Sequence, residues 1–518
     1  MTKYTAEHIR HISNYTRARL KADAELKPRP LPTKPDEMTW RDYLVMLLHV
    51  AGELEHGLMI QYLYAAYSLG GEGVPPADRA QVKEWQDALL SVAREEMGHL
   101  LTVQNLLCLI GGSVSVNRNE FPWDTPFFPF PFKLEPLSKS SLAKYIFAEM
   151  PGNFSHLEDL FVEAAGGKRS RSFIEQDVPF IKETVKEWVE ERGKQPQAEV
   201  YMKILHIFEN PEFIPDSVFR PETYPMQASW DDWGRSYAPK PSPPYGPTPK
   251  VENSKANVIV ERAATRTEAL YALRQTLGQG EASEIKHGNR PTSVGEQAPD
   301  GEMSHFQRFV KIFREFEQKT ISASWNPVRD IPVNPTTTTP HGEPDPRRSE
   351  FHPTPITAKG SLKWASLFNV RYRMLLRYLT HTFRLARDVP PDVPNARGAM
   401  MAKIFGEMYN LKTIACLLVD MPLTDKPGDK RRAGPPFEMP YSLDLPLDEI
   451  DCWSRHRDVV LNSIEICSVL LDPADDHLSS TPPAGEPYLR TLRNQDQKTL
   501  EWIDVVLAGL RAKGDSRP

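Results

Sequence analysis

The chain has 518 residues, about three times a typical domain length, with 40% hydrophobic and 25% charged residues. A sizeable core and more than one packed unit are expected. The net charge of −6 leaves no basic footprint for nucleic acid. The four cysteines (Cys108, Cys416, Cys452, Cys467) are scattered without a CxxC pair, which argues against a disulfide framework and a thiolate metal site.

The N-terminal MTKYTAEHIRHISNYTRARL has no apolar h-region, and no apolar run reads as long enough to span a bilayer. The expectation is a cytoplasmic protein without signal peptide or membrane partner. Residues 1–38 read as a partly helical leader ending in KPRPLPTKP. A first helix is expected from Thr39 to about residue 69, opened by a capping box of Thr39 and Asp42, with Asp in place of Glu. After GGEGVPP a second helix starts near Asp78 and stops at Gly111-Gly112.

The aromatic FPWDTPFFPFPF follows, as a lid over a hydrophobic pocket or as plain packing. A third helical region covers about 138–165, broken at Pro151-Gly152. Helical patterns continue through 173–208, and 211–257 is loop-rich. Further helices are expected at about 262–278, ending in GQGE, and at about 302–319. Four helical runs close the chain, at about 361–386, 395–420, 448–471 and 487–512.

The fold class is therefore all-α. The expected organisation is a leader (1–38), a helical bundle (39–325) with a loop-rich insertion at about 166–258, a proline-rich connector (326–360), and a C-terminal helical region packing on the bundle (361–518).

The second helix carries an apolar stripe at Val82, Trp85, Leu89, Val92, Val103, Leu106 and Ile110. Its one gap is filled in phase by Glu96 and His99, which puts both on the buried face. An unpaired buried carboxylate costs several kcal/mol, and a divalent cation is the strongest compensation. A core His bonded to a buried Glu would explain one such pair. Glu302 and His305 repeat it, in phase with Phe309, Ile312 and Phe316. Two Glu-x-x-His pairs on core faces point to a shared metal centre in a bundle, which also needs a glutamate from each of two other helices.

On the first helix Glu55 shares a stripe with Leu48, Ala51, Leu58 and Tyr62. The adjacent face, His49, Glu53 and His56, is a rival metal site or a polar or partner-facing surface. In the third region Glu158, in phase with Phe154, Phe161 and Ala165, is preferred. Glu149, after Leu142 and Tyr145 but beside Pro151-Gly152, is held in reserve. Glu281 in GQGE is a further ligand candidate or a helix-end charge, a place the helix dipole disfavours. Oxygen and imidazole donors without thiolates suit iron or manganese. Tyr62 is the redox-active candidate, with Tyr64 and Trp85 nearby; core packing is the plainer reading of all three.

Several strings carry a family likeness. GELEHGLMIQYLYAAYSL and AREEMGHLLTVQNLLCLIGG are followed in order by FSHLEDLFVEA, LRQTLGQGEA and EMSHFQRFVKIF. LFNVRYRMLLRYL and AMMAKIFGEMYNLKTIACLLVDMPL close the series. Over about residues 40–425 the chain resembles the ferritin-like enzymes of the iminophenyl-pyruvate dimer synthase type, from violacein- and rebeccamycin-type pathways.

The resemblance implies a ferritin-like four-helix bundle with long loop insertions and additional C-terminal helices. It implies metal ligands at Glu55, Glu96, His99, Glu158, Glu302 and His305, with Glu281 replacing or supplementing Glu302. The stretch 166–258 is longer than the family pattern, and the final hundred residues have no clear counterpart in it. The first two helices also resemble those of manganese catalase.

Three functions follow. One is a dinuclear iron or manganese oxidase of specialised metabolism, with dioxygen as co-substrate and a small amino-acid-derived or aromatic substrate such as an imine. The others are catalase-like peroxide dismutation and a non-catalytic, metal-stabilised helical scaffold. A homodimer is left open.

Overall fold

The computed structural model describes residues 33–150, 173–186, 198–233, 258–281, 303–317, 325–338, 352–385, 396–439, 443–474 and 477–514. Seven helices precede residue 320 among these: α1 (Trp40–Ser68), α2 (Arg79–Leu109), α3 (Lys139–Ala148), α4 (Val178–Lys186), α5 (Ala198–Glu209), α6 (Arg266–Glu281) and α7 (His305–Glu317), beside a single turn at Trp230–Trp233.

Thr39 caps α1 as the sequence predicts. Its hydroxyl accepts from the Asp42 amide at 3.1 Å, and the Asp42 carboxylate accepts from the Thr39 amide at 3.3 Å. Ser138 and Ser141 form the same reciprocal cap on α3. α2 ends where Gly111 turns left-handed at φ 70°, a conformation only glycine adopts without strain.

α1 and α2 run antiparallel. Gln86 near the start of α2 donates to the Ala66 carbonyl near the end of α1 at 2.9 Å, while Gly52 lies against Gln104. α3 packs on α4 and α7, α5 on α1 and α6, and α6 also touches α2 and α7. The rings of Tyr62, Tyr145 and Phe309, from α1, α3 and α7, meet at 4.9–5.5 Å. The aromatic loop after α2 is packing: Trp123 stacks on Phe132 at 4.2 Å, and both rings press on α1 where Gly57 leaves room.

Two sequence expectations shift. α6 ends in GQGE as expected but runs through both glycines to Glu281, a few residues past 278, and Gln279 on this last turn bonds His99. α1 is long and apolar enough to cross a membrane by length and composition, contrary to the expectation that no run is; 67% of its most apolar window is buried inside the fold. The stretch read as connector holds one two-residue parallel pairing, Pro335–Thr336 with Thr354–Pro355.

The remaining helices are α8 (Lys359–Thr382), α9 (Ala396–Leu418), α10 (Glu449–Leu470) and α11 (Gly485–Gly514), within a few residues of the four sequence runs. α8 packs on α9 and α10, and α10 on α11. They meet the bundle through polar contacts. The rival face of α1 is one of these joints. His56 Nδ1 donates to the Val116 carbonyl at 2.8 Å, and its Nε2 accepts from the Tyr372 hydroxyl of α8 at 2.5 Å. Glu53 accepts from the backbone and side chain of Asn119, both at 3.0 Å. Arg397 of α9 likewise donates to the carbonyls of Met226 and Gln227. His56 and Glu53 of that face are thus bonded within this chain.

Candidate metal centre

Glu55 on α1, Glu96 and His99 on α2, and His305 on α7 come together in the bundle core, all 0–3% exposed. Among the described residues their ligand atoms form two groups, Glu55–Glu96–His99 and Glu96–Glu149–His305, each with its atoms within 4.8 Å of one another. Glu96 belongs to both. Its Oε2 lies 2.8 Å from His99 Nδ1 and its Oε1 3.0 Å from His305 Nδ1. Glu55 Oε2 lies 3.7 Å from His99 Nδ1, and Glu149 Oε2 lies 3.6 Å from His305 Nδ1. The imidazole rings stand 5.5 Å apart.

From the third helical region the structure brings Glu149, the residue held in reserve and one position past α3, to the centre. Glu158 and Glu302 lie outside the described residues, and Glu281 is placed only by its backbone, at the end of α6. Sequence phase did mark Glu149, since Leu142, Tyr145 and Glu149 share one face. The helix break at Pro151 argued against it, yet α3 ends at Ala148 and leaves Glu149 as its buried C-cap.

A surrounding layer aims each imidazole. His99 Nε2 donates to the Gln279 amide oxygen at 3.0 Å, and His305 Nε2 donates to Glu95 Oε2 at 2.9 Å. Glu95 in turn accepts from Arg308 Nη1 at 2.8 and 3.0 Å. Both rings then present Nδ1 to the centre, the arrangement metal-binding histidines use. Tyr62 donates to Glu149 Oε1 at 2.5 Å, and Tyr201 of α5 donates to Glu55 Oε1. A backbone segment, 258–263, crosses α2 at Gly98, where a Cβ would meet the Ile259 carbonyl oxygen at 2.5 Å. Gly98 therefore lets this segment pack directly on α2.

Tyr201, Gln279, Glu95 and Arg308 escaped the sequence reading. Arg308 follows His305 by three residues and Glu95 adjoins Glu96, so both had a local signal. Tyr201 and Gln279 had none, because only packing brings their helices to the centre.

The donors fit a cation. Burial pushes the Glu55 carboxyl up to about 8, and Glu96 beside it adds to the rise. Burial and Glu96 raise Glu149 too. Burial would also raise Glu96, but His305 and His99 hold it well below the usual carboxylate range. Burial disfavours the charged form of His99, yet Glu55 and Glu96 push it up to about 10; Glu96, Glu149 and Glu95 raise His305 in the same way. Protons on the histidines, and on the raised Glu55 carboxyl, would thus balance the buried charge without an ion. Glu96 Oε1 and His305 Nδ1 face each other without a well-directed hydrogen bond, so the core of the site is left for a positive charge. A divalent ion would take the place of those protons.

Comparison with known proteins gives the family of the fold. A ferritin-like family model matches residues 48–314. The 2-imino-3-(indol-3-yl)propanoate dimerase of Chromobacterium violaceum is 32% identical over 161 residues, 26% of this chain and 16% of that protein. Dichlorochromopyrrolate synthase of Lentzea aerocolonigenes is 24% identical over 470 residues, 84% of this chain. The chain spans 38% of that protein's length, so both relatives are much longer. No solved structure matches the chain. The helical architecture, the buried glutamate and histidine pairs and the family match over more than half of the sequence agree: the chain belongs to the ferritin-like family.

Proposed function

We propose that this chain is an enzyme of ferritin-like type that holds a dinuclear iron centre and oxidises a small amino-acid-derived imine in specialised metabolism. The observation that carries the reading is the pair of ligand groups sharing Glu96. Glu55 and His99 would hold one ion, Glu149 and His305 the other, with Glu96 between them; manganese suits the same donors. The names of the relatives favour indole- or pyrrole-bearing substrates. Such a metal pair supplies a redox-active, Lewis-acidic template.

The chain's own residues set the conditions. Burial and the nearby carboxylates push the Tyr62 and Tyr201 phenols well above their usual range, so each keeps its proton and fixes one carboxylate oxygen. With an ion bound, Gln279 and Glu95 would keep each histidine's remaining proton on Nε2 and leave Nδ1 for the metal. The aromatic packing around Tyr62, Tyr145 and Phe309 excludes water on that side.

Joining two imines through carbon removes two electrons and two protons, and dioxygen is the proposed acceptor. The test loads purified protein with iron or with manganese, measures bound metal, and supplies 2-imino-3-(indol-3-yl)propanoate in air. A metal-dependent dimeric product lost in Glu96→Gln is expected. Metal-dependent oxygen release from peroxide with no imine turnover would replace this reading with peroxide dismutation. Protein that binds neither metal would reduce the chain to a scaffold.

A further inference from the structure

Away from the bundle, the end of α8 and the start of α10 assemble another donor set. Ligand atoms of His381, Glu449 and Cys452 lie within 4.8 Å of one another. His381 and Cys452 are fully buried, whereas the Glu449 side chain is 40% exposed, which leaves an approach from solvent. Glu449, Cys452 and His456 follow at steps of three and four residues, so they share one face of α10. His381 Nε2 lies 3.1 Å from Glu449 Oε2, and its Nδ1 lies 2.9 Å from His456 Nε2.

We propose that His381, Glu449 and Cys452 form a second metal site, for a borderline-soft divalent cation of the zinc class, clamping α8 to α10. One imidazole, one thiolate and one carboxylate match the donors zinc takes, with a fourth position open to water. Their charges neutralise a divalent ion. His456 is the positioning residue: if His381 Nδ1–H donates to it, the Nε2 lone pair of His381 is left beside the Glu449 carboxylate for an ion to take. Burial pushes the Cys452 thiol up to about 11, and Arg384 Nη1, 3.2 Å from Sγ, works against that rise. The thiol now donates to the Pro446 carbonyl at 2.9 Å, and ion binding would release that proton. The scattered cysteines gave no hint of this site, because its donors come from two helices.

Cobalt(II) tests it, since thiolate ligation gives an intense near-ultraviolet charge-transfer band that the oxygen and imidazole donors of the bundle cannot. The full chain, stripped of metal by chelation, is titrated with cobalt(II) under reducing, anaerobic conditions. The band should appear, survive Glu96→Gln and vanish in Cys452→Ser. His456→Gln should weaken cobalt binding about 10- to 100-fold while keeping the band. No band in the parent protein, or a band that persists in Cys452→Ser, overturns the proposal. It would leave His456, His381 and Glu449 as an ion-free relay in which His456 donates to His381 and His381 to Glu449. Should Cys452→Ser fail to fold, Glu449→Gln decides, its side chain being part-exposed: unchanged cobalt affinity there refutes the site.

Discussion

Two buried polar clusters, one among the C-terminal helices and one in the bundle, solve the same problem differently. In the first, Arg371 of α8 donates to Glu407 of α9 through Nε at 2.5 Å and through Nη2. It donates to both Asp496 oxygens of α11 at 2.6 and 2.8 Å, and to Ser463 of α10 at 3.1 Å. Lys403, bonded to Thr499, adds a second positive charge facing both carboxylates. The cluster satisfies itself and stitches four helices together. In the bundle three carboxylates face two histidines, with no lysine or arginine touching the shared Glu96 among the described residues. Arg308 is spent on Glu95, one layer out. A buried cluster that brings its own cation is structural; one that lacks it has donors that could hold one.

Breaking the balanced cluster should have the largest effect. Arg371→Ala leaves Glu407 and Asp496 buried and unpaired, and should cost about 3–5 kcal/mol in chemical denaturation. A loss under about 1 kcal/mol would mean that the ion pairs hold nothing together. The bundle should respond in the opposite sense. Glu96→Gln removes one of three crowded carboxylates, so the metal-free protein should melt close to the parent, while metal affinity falls more than about 100-fold. Elemental analysis and melts with and without chelator check both halves. A metal-free variant that unfolds would show Glu96 to be structural.

Moving one layer out sharpens the contrast. Arg308→Met frees Glu95 from its partner and loosens the aim of His305, so metal affinity should drop about 10- to 100-fold in a folded protein. Metal titration followed by calorimetry would read this, and an unchanged affinity would detach Glu95 and Arg308 from the centre. The smallest effect is expected at the joint between the two regions. Tyr372→Phe removes the donor to His56 Nε2 and should cost about 1–2 kcal/mol without touching metal content. A loss of bound metal in that variant would show that the C-terminal helices shape the site itself.

The caps and apolar stripes made much of the fold legible. Thr39 with Asp42 fixed where α1 begins, and Gly111 where α2 ends, because these signals act within one turn. Periodicity likewise put Glu55, Glu96, His99 and His305 on buried faces, since a stripe of apolar neighbours decides which way a helical residue points. It kept Glu149 in reserve behind Glu158, because a residue at a helix end takes its direction from the chain path rather than from a period.

Nor could it show that His56 is claimed by Tyr372, 316 positions away, or that Gln279 and Tyr201 reach the centre. Those contacts join helices distant in sequence, and no local pattern encodes them. By itself the sequence determined which side chains are buried against their nature. Only the tertiary structure decided which of them share one site, because that depends on how helices pack, and packing is fixed by the whole core at once.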